Sequence, residues 1–483
     1  MKPGDLLDLT IEAFADRGKS LARVPAPGSD DAGDGLGDEA GRGYVVFVAG
    51  AVPGDRVRAV VLKRKRRHAE ARLVEVVEPS PLRVAPRCEY FGTCGGCKWQ
   101  HVDYAAQLEM KRGSVEGALR HAGGFADAVA LAPIASPRPY FYRNKMEFSF
   151  ADARWLSVDE IASEEVFDRS FALGLHAPGS FEKVLDLERC YLQSDLSVAL
   201  VNRTRALAKA EGWAPYGQRS HEGFLRHLVI RHGEHTGETM VNVVTNGFDA
   251  DRMATMANVL QSEFPAVTTF VCTVHTGWGQ TAIGERVETI YGPGVLRDRI
   301  GDLEFEIAPN AFFQTNTRGA EALYAVARSF ADLRADDLVY DLYCGAGTIS
   351  LFMAPHVRHV VGVELVPEAI DNARANALRN GIANTTFHAG DLLRVFTPGF
   401  VEAHGAPDVL VLDPPRAGVH PKVMEEIARL APERLVYVSC NPQTQARDLA
   451  LLQGAYRLDA VQPVDMFPHT DHVENVARLT RAG

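Results

Sequence analysis

From about residue 317 the chain alternates helical and strand patterns in strict succession, and this rhythm constrains the fold more than any other feature. Apolar strand runs fall at 338–343, 359–364, 408–412 and 435–439, with helical patterns between them. Such alternation predicts an α/β fold, a doubly wound, mostly parallel sheet of Rossmann-like type.

The remainder reads differently. Residues 5–78 are short alternating strands broken by turn residues such as Pro53-Gly54-Asp55, which predicts a small OB-like β-barrel. A Gly- and Asp-rich, apolar-poor stretch at 26–43, with Asp30, Asp31, Asp34, Asp38 and Glu39, is expected to be a mobile loop. Pro79, Pro81 and Pro86 mark a linker. Beyond it come a helical stretch from Tyr104 to about His121, alternating residues at 143–150 and mixed α and β patterns to 300. At 483 residues the chain exceeds one core of roughly 100–200 residues. The expected division is a barrel at 1–78, a central α+β domain at 79–300 and the α/β domain at 301–483.

Hydrophobic residues at 46% and charged residues at 23% are ordinary for a globular chain. No run approaches the roughly 20 apolar residues of a membrane span. The N-terminus carries acids where a secretory signal has basic residues, so a cytoplasmic protein is expected. The net charge of −11 argues against a nucleic-acid partner, but local patches decide phosphate contacts, and one runs Lys63-Arg64-Lys65-Arg66-Arg67-His68. Three of the seven cysteines fall within ten residues: Cys88, Cys94 and Cys97. Clustered cysteines without a secretion signal point to metal binding or catalysis, not to a disulfide framework.

The first α/β strand runs into Asp341-Leu342-Tyr343-Cys344-Gly345-Ala346-Gly347, and glycines there let a backbone approach a nucleotide-like ligand. Glu364 ends the second strand 23 residues after Asp341, a spacing suited to accepting hydrogen bonds from ribose hydroxyls. The third glycine of the dinucleotide fingerprint is missing, and Asp341 can face an ammonium group. Together these favour S-adenosylmethionine over NAD. Asp391 ends a third strand where an adenine-contacting acid would sit. The fourth and fifth strands deliver Asp413-Pro414-Pro415-Arg416 and Ser439-Cys440-Asn441-Pro442. Both should face one crevice, because ligands of open α/β sheets lie beyond the carboxyl ends of the strands. Near the C-terminus, His469-Thr470-Asp471-His472-Val473-Glu474 combines a candidate base, Glu474, with histidines that could orient it.

With these strings on the page, the sequence resembles the bacterial RNA uridine C5-methyltransferases, specifically the iron–sulfur branch that modifies 23S ribosomal RNA. The matching strings are Cys88-Glu89-Tyr90-Phe91-Gly92-Thr93-Cys94-Gly95-Gly96-Cys97, Asn310-Ala311-Phe312-Phe313-Gln314-Thr315-Asn316, Asp341-Leu342-Tyr343-Cys344-Gly345, Asp413-Pro414-Pro415-Arg416, Ser439-Cys440-Asn441-Pro442 and His472-Val473-Glu474. They stand in the family's order across 88–474, behind a barrel that resembles the RNA-binding TRAM domain. The resemblance implies Cys440 as covalent nucleophile and Glu474 as general base. It implies Gln314, Tyr343, Glu364, Asp391 and Asp413 around the cofactor, with Asp413 against the uracil edge or the Cys440 loop. Phe312 or Phe313 would stack on a base turned out of the RNA.

The resemblance also places Cys190 as fourth ligand to Cys88, Cys94 and Cys97. Four thiolates could hold zinc or an iron–sulfur cluster, and spacing does not decide between them. The resemblance favours [4Fe–4S], in a structural or RNA-positioning role. Cys272 and Cys344 read as buried small residues. The 63–67 run reads as a phosphate contact, and Arg143, Lys145, Arg226 and Arg231 as candidates to line an RNA groove. Barrel and cysteines together favour ribosomal over transfer RNA, and a monomer is expected. A cytosine C5-methyltransferase would need a Pro-Cys motif where Asp413-Pro414-Pro415 stands. A non-catalytic iron–sulfur RNA-binding protein would need loss of Cys440, Glu474 or the Gly-rich turn.

Overall fold

The computed structural model describes residues 1–15, 18–25, 43–180 and 182–482. The expected loop at 26–43 therefore lies, but for Gly43, outside the described residues. Two compact units emerge, one of residues 1–114 with 468–471, the other of 115–467 with 472–483.

In the first unit the alternation at 5–78 becomes a six-stranded sheet. Its order is Leu6–Thr10, Arg56–Arg64, His68–Glu78, Tyr44–Ala49, Lys19–Val24 and Ala13–Phe14. The two end strands are successive parts of one stretch, 6–14, so the sheet closes on itself as a barrel. Val46, Val48, Val57, Ala59, Val61, Ala69 and Ala71 fill it, each every second residue along its strand. The predicted Pro-Gly-Asp turn is anchored by Asp55, which accepts hydrogen bonds from Val52 N and Ser80 N and pairs with Arg83. Lys63, Arg64, Lys65, Arg66 and Arg67 form the exposed end of a strand and its turn.

The second unit holds a mixed eight-stranded sheet, a two-stranded hairpin and the α/β sheet. The eight strands run in the order Arg286–Tyr291, Val267–Val274, Thr239–Thr245, Leu225–His232, Lys145–Ala151, Ala172–His176, Val184–Asp186 and Arg154–Trp155. The α/β sheet has seven strands: β1 (Leu338–Leu342), β2 (His359–Glu364), β3 (Thr385–Ala389), β4 (Val409–Leu412), β5 (Arg434–Ser439), β6 (Tyr456–Val464) and β7 (Glu474–Arg481). Their order is β3-β2-β1-β4-β5-β7-β6, with β1 to β5 parallel and β7 antiparallel between β5 and β6. Both faces are buried, which is why these strands read as continuous apolar runs. Val339, Val360, Val411 and Val436 pack with Ala320, Leu323 and Ala327 of helix Thr317–Ala331. On the opposite face Tyr340, Val361, Leu410 and Tyr437 pack with Val423, Met424 and Ile427 of helix Pro421–Leu430.

The order reverses between β1 and β4, which opens a crevice at the carboxyl ends of the strands. A buried ion pair, Arg434 to Asp337 at 2.6 Å, lies at the other end of the sheet. Among the described residues no helix is long and apolar enough to cross a membrane.

Candidate active site

Parallel register brings the ends of β1, β2, β4 and β5 to one edge, so Tyr343, Glu364, Asp413 and Cys440 leave the sheet on the same side. Strand β7 returns antiparallel to β5, and the ladder ends with Asn475 opposite Ser439, so that Cys440 and Glu474 are the adjoining residues of the two chains and the Glu474 charge acts on the Cys440 thiol. Glu474 is only 5% exposed. Residues separated by 34 positions thus meet through a single ladder.

The two catalytic-looking loops are tied together. Arg416 O accepts hydrogen bonds from Asn441 Nδ2 at 3.1 Å and Thr444 Oγ1 at 3.3 Å. Asn441 also caps helix Pro442–Ala450, accepting from Gln443 N, with Pro442 in the first turn. Cys440 is therefore held between a strand end and a helix start.

Three carboxyls face one another here. Burial, then the charges of Glu474 and Asp341, keep Asp413 protonated well above the usual carboxylate range. Burial, partly opposed by the Ser350 hydroxyl at 2.5 Å and increased by Glu364, pushes Asp341 up to about 6. Burial, then Glu474 and Asp413, push the Cys440 thiol up to about 11, with Arg416 pulling the other way. At rest the sulfur is a thiol.

The structure fits a nucleotide-like amino-acid cofactor. Asp341 is fully buried, yet its Oδ1 has no hydrogen-bond partner, a costly arrangement unless a ligand donates to it. Tyr343, Gly345 and Gly347 all have left-handed backbone, with φ of 69°, 54° and 78°. For Tyr343 this is strain of about 1–3 kcal/mol, as expected of a site-lining residue. A Cβ on Gly347 would lie 2.9 Å from that of Ala373, whereas one on Gly345 would meet nothing, leaving that peptide open to close approach. Glu364 braces the turn by accepting from Gly345 N and Val366 N. Asp391 stands two residues beyond β3 and caps the short helix after it, accepting from Leu393 N at 3.0 Å.

The 310–316 string forms a loop held from the eight-stranded sheet. Asn144 donates through Nδ2 to Gln314 O and Thr317 Oγ1, and through its backbone to Thr315 O. Phe312 is 77% exposed, whereas Phe313 is buried against Phe305 in the core. Of the two stacking candidates only Phe312 is exposed. Arg226 and Arg231, read as groove residues, are buried instead. Arg231 donates to Pro309 O and Ala311 O, Arg226 to the carbonyls of His275, Gly277 and Gly279. Their charge satisfies backbone carbonyls that no strand partner reaches.

Sequence reasoning missed Tyr324. It lies on the buried stripe of helix Thr317–Ala331, its hydroxyl hydrogen-bonded to Gln314 and facing Asp413 and Glu474. The signal available was a tyrosine at a core position, which needs a polar partner. Of the two histidines near Glu474, His469 exchanges hydrogen bonds with Gln107, and the ring of His472 packs edge-on against Phe467.

Cys272 and Cys344 are buried, as read. Cys88, Cys94 and Cys97 occupy a turn-rich segment of the first unit, where Cys94 Sγ accepts from Gly96 N at 3.4 Å. Cys190 is buried in the second unit. Among the described residues no three His, Cys, Asp or Glu side chains converge as metal ligands do.

The family described as tRNA (uracil-5-)-methyltransferase matches residues 400–482, and a methyltransferase domain matches 339–431. An uncharacterized RNA methyltransferase of Chlorobaculum tepidum is 42% identical over all of this chain and 97% of its own length. One of Bacteroides thetaiotaomicron is 43% identical over 90% of this chain and 96% of its own. The crystal structure of Pyrococcus abyssi tRNA (uracil-54, C5)-methyltransferase with S-adenosyl-L-homocysteine superposes with a TM-score of 0.74 at 26% identity. It covers 98% of this chain and 100% of that one. Full-length likeness, the α/β sheet and the uracil-5 signature over the strands that carry Cys440 and Glu474 agree: the chain belongs to the RNA (uracil-C5)-methyltransferase family.

Proposed function

We propose that this protein transfers the methyl of S-adenosylmethionine to C5 of a uridine in 23S ribosomal RNA through a covalent bond between Cys440 and C6 of the base. The observation that carries this reading is the ending of the β5–β7 ladder at Ser439 and Asn475, which brings the Cys440 thiol and the Glu474 carboxylate to one place in the crevice. S-adenosylmethionine supplies a methyl on a positively charged sulfonium. Asp341 Oδ1 would accept from its ammonium group, Glu364 from the ribose hydroxyls and Asp391 from the adenine, and Gln314 and Tyr343 would complete the enclosure.

Uracil C5 alone is too weak a nucleophile to take that methyl. Cys440 Sγ gives up its proton to solvent and bonds to C6, and the ring electron pair moves onto C5 and O4 as an enolate. A positive charge beside Cys440 favours the thiolate against the neighbouring carboxylates. Protonated Asp413 donates to the uracil edge where negative charge develops. C5 takes the methyl as the sulfonium S–CH3 bond breaks, its electron pair staying on the sulfur of the departing S-adenosylhomocysteine; Glu474 then takes the C5 proton, the C5–C6 double bond reforms and the C6–S bond breaks to return the thiolate. Phe312 stacks on the extruded base. The barrel at 1–78 would hold RNA phosphates through residues 63–67, the central domain spans 79–300, and 301–483 performs the chemistry.

For Cys88, Cys94, Cys97 and Cys190 the support is the donor set and the resemblance, and no step passes through them. A [4Fe–4S] cluster is the proposed occupant. Protein purified without oxygen is expected to hold about four iron atoms and as much acid-labile sulfide per chain. Stoichiometric zinc would replace that reading, and metal-free protein would end both.

Transfer RNA is the second reading, favoured by the full-length match to a tRNA (uracil-54, C5) enzyme. Mapping 5-methyluridine in ribosomal and transfer RNA from cells lacking the protein tests both. One missing mark in 23S RNA is expected, a mark missing only from transfer RNA selects the second reading, and unchanged marks in both would refute the function.

A further inference from the structure

We infer that Trp278 is a stacking platform for an unpaired base of the substrate RNA, remote from the base that is methylated; this rests on RNA being the substrate. Trp278 is 79% exposed. An exposed tryptophan on a loose loop would mean little. This one is held. The buried guanidinium of Arg226 donates to three carbonyls of its loop, those of His275 at 2.8 Å and of Gly277 and Gly279 at 2.7 Å. His275 Nε2 bonds Gly279 O at 2.9 Å, and Glu285 accepts from Thr276 N at 3.1 Å.

The indole also has a built floor. Its ring lies nearly parallel on the His221 imidazole, 18° apart with centroids at 5.1 Å. His221 takes a left-handed φ of 57° and bonds Tyr216 OH through Nδ1 at 3.1 Å. Arg226 in turn lies 4.0 Å over the Tyr216 ring, so one arginine ties floor and loop together. With one face on His221, the opposite face of the indole is open to solvent. Such a surface suits a flat ligand that stacks, and every nucleobase is one.

The neighbours argue for stacking over phosphate binding. Arg252 and Arg286 lie over Phe224 and Phe248, but they are paired with Asp249 and Glu288. Phosphates would find no net positive patch here. The location follows from the sheet. The loop leaves the carboxyl end of Val267–Val274, which runs antiparallel to Leu225–His232 by way of the strand between them. The far end of Leu225–His232 bonds to Asn144, which holds the 310–316 loop. About seven strand residues, roughly 25 Å, separate the two ends.

Trp278→Ala and Trp278→Phe are compared with the wild-type protein on transcribed 23S RNA and on transfer RNA from cells lacking the protein. Binding is followed by electrophoretic retardation over a salt series and methylation by initial rates. Trp278→Ala is expected to raise Kd and KM for the substrate RNA about ten-fold, to leave kcat within about two-fold, and to leave the slope of log Kd against log salt unchanged. Trp278→Phe should recover most of the affinity. Wild-type binding by Trp278→Ala, a loss confined to kcat, or a reduced salt slope would overturn the platform while leaving the uridine reading intact. A wild-type protein that neither binds nor methylates either RNA would overturn both.

Discussion

Cys440→Ala should lower methyl transfer by about four orders of magnitude or more, while S-adenosylmethionine still binds. The reason is that the groups acting on Cys440 are the carboxyls of Glu474 and Asp413 and the Arg416 guanidinium, none of them a nucleophile suited to C6, and Tyr324 is buried with its hydroxyl engaged by Gln314. Calorimetric titration with the cofactor checks the second half of the statement, since Asp341, Glu364 and Gly345 are untouched. Transfer at wild-type rate by the alanine variant would end the covalent mechanism. Loss of both activity and cofactor binding would show instead that the strand end had been disturbed.

Glu474→Gln gives the second large effect, and of a different kind. General-base removal is worth about 10²- to 10⁴-fold in turnover, but addition and methyl transfer precede it. The variant should therefore stall as a methylated RNA bonded to Cys440, seen as a band that survives denaturing electrophoresis and disappears in the double variant with Cys440→Ala. The glutamine also removes a negative neighbour, so the thiol, pushed up to about 11 in the wild-type protein, should titrate lower. Alkylation by iodoacetamide in the absence of RNA, followed against pH, reads that shift. A variant with full turnover and no trapped adduct would assign the proton to another base.

Both predictions use carboxyls whose charge is shaped by company. Glu474 disfavours ionisation of Asp413, and both disfavour it at Cys440, so the crevice at rest opposes the thiolate. On the proposed mechanism, a positive charge beside Cys440 would offset these carboxyls and favour its thiolate.

The α/β rhythm, the place of Cys440 just after a strand, the glycine turn and the barrel could be read from residue order, because each is a local signal. Buried parallel strands are short apolar runs, tight turns demand glycine, and a closed barrel shows period-two alternation. What residue order could not supply was partnership. Glu474 meets Cys440 only because β7 turns back beside β5; Arg226 and Arg231 look like surface cations until buried carbonyls claim them; Phe312 and Phe313 are neighbours in sequence but point one to solvent and one to the core. The residue pattern by itself determined which chemistry this chain carries. Tertiary structure alone decided which groups share the crevice, since burial and charge depend on neighbours that the fold brings from distant positions.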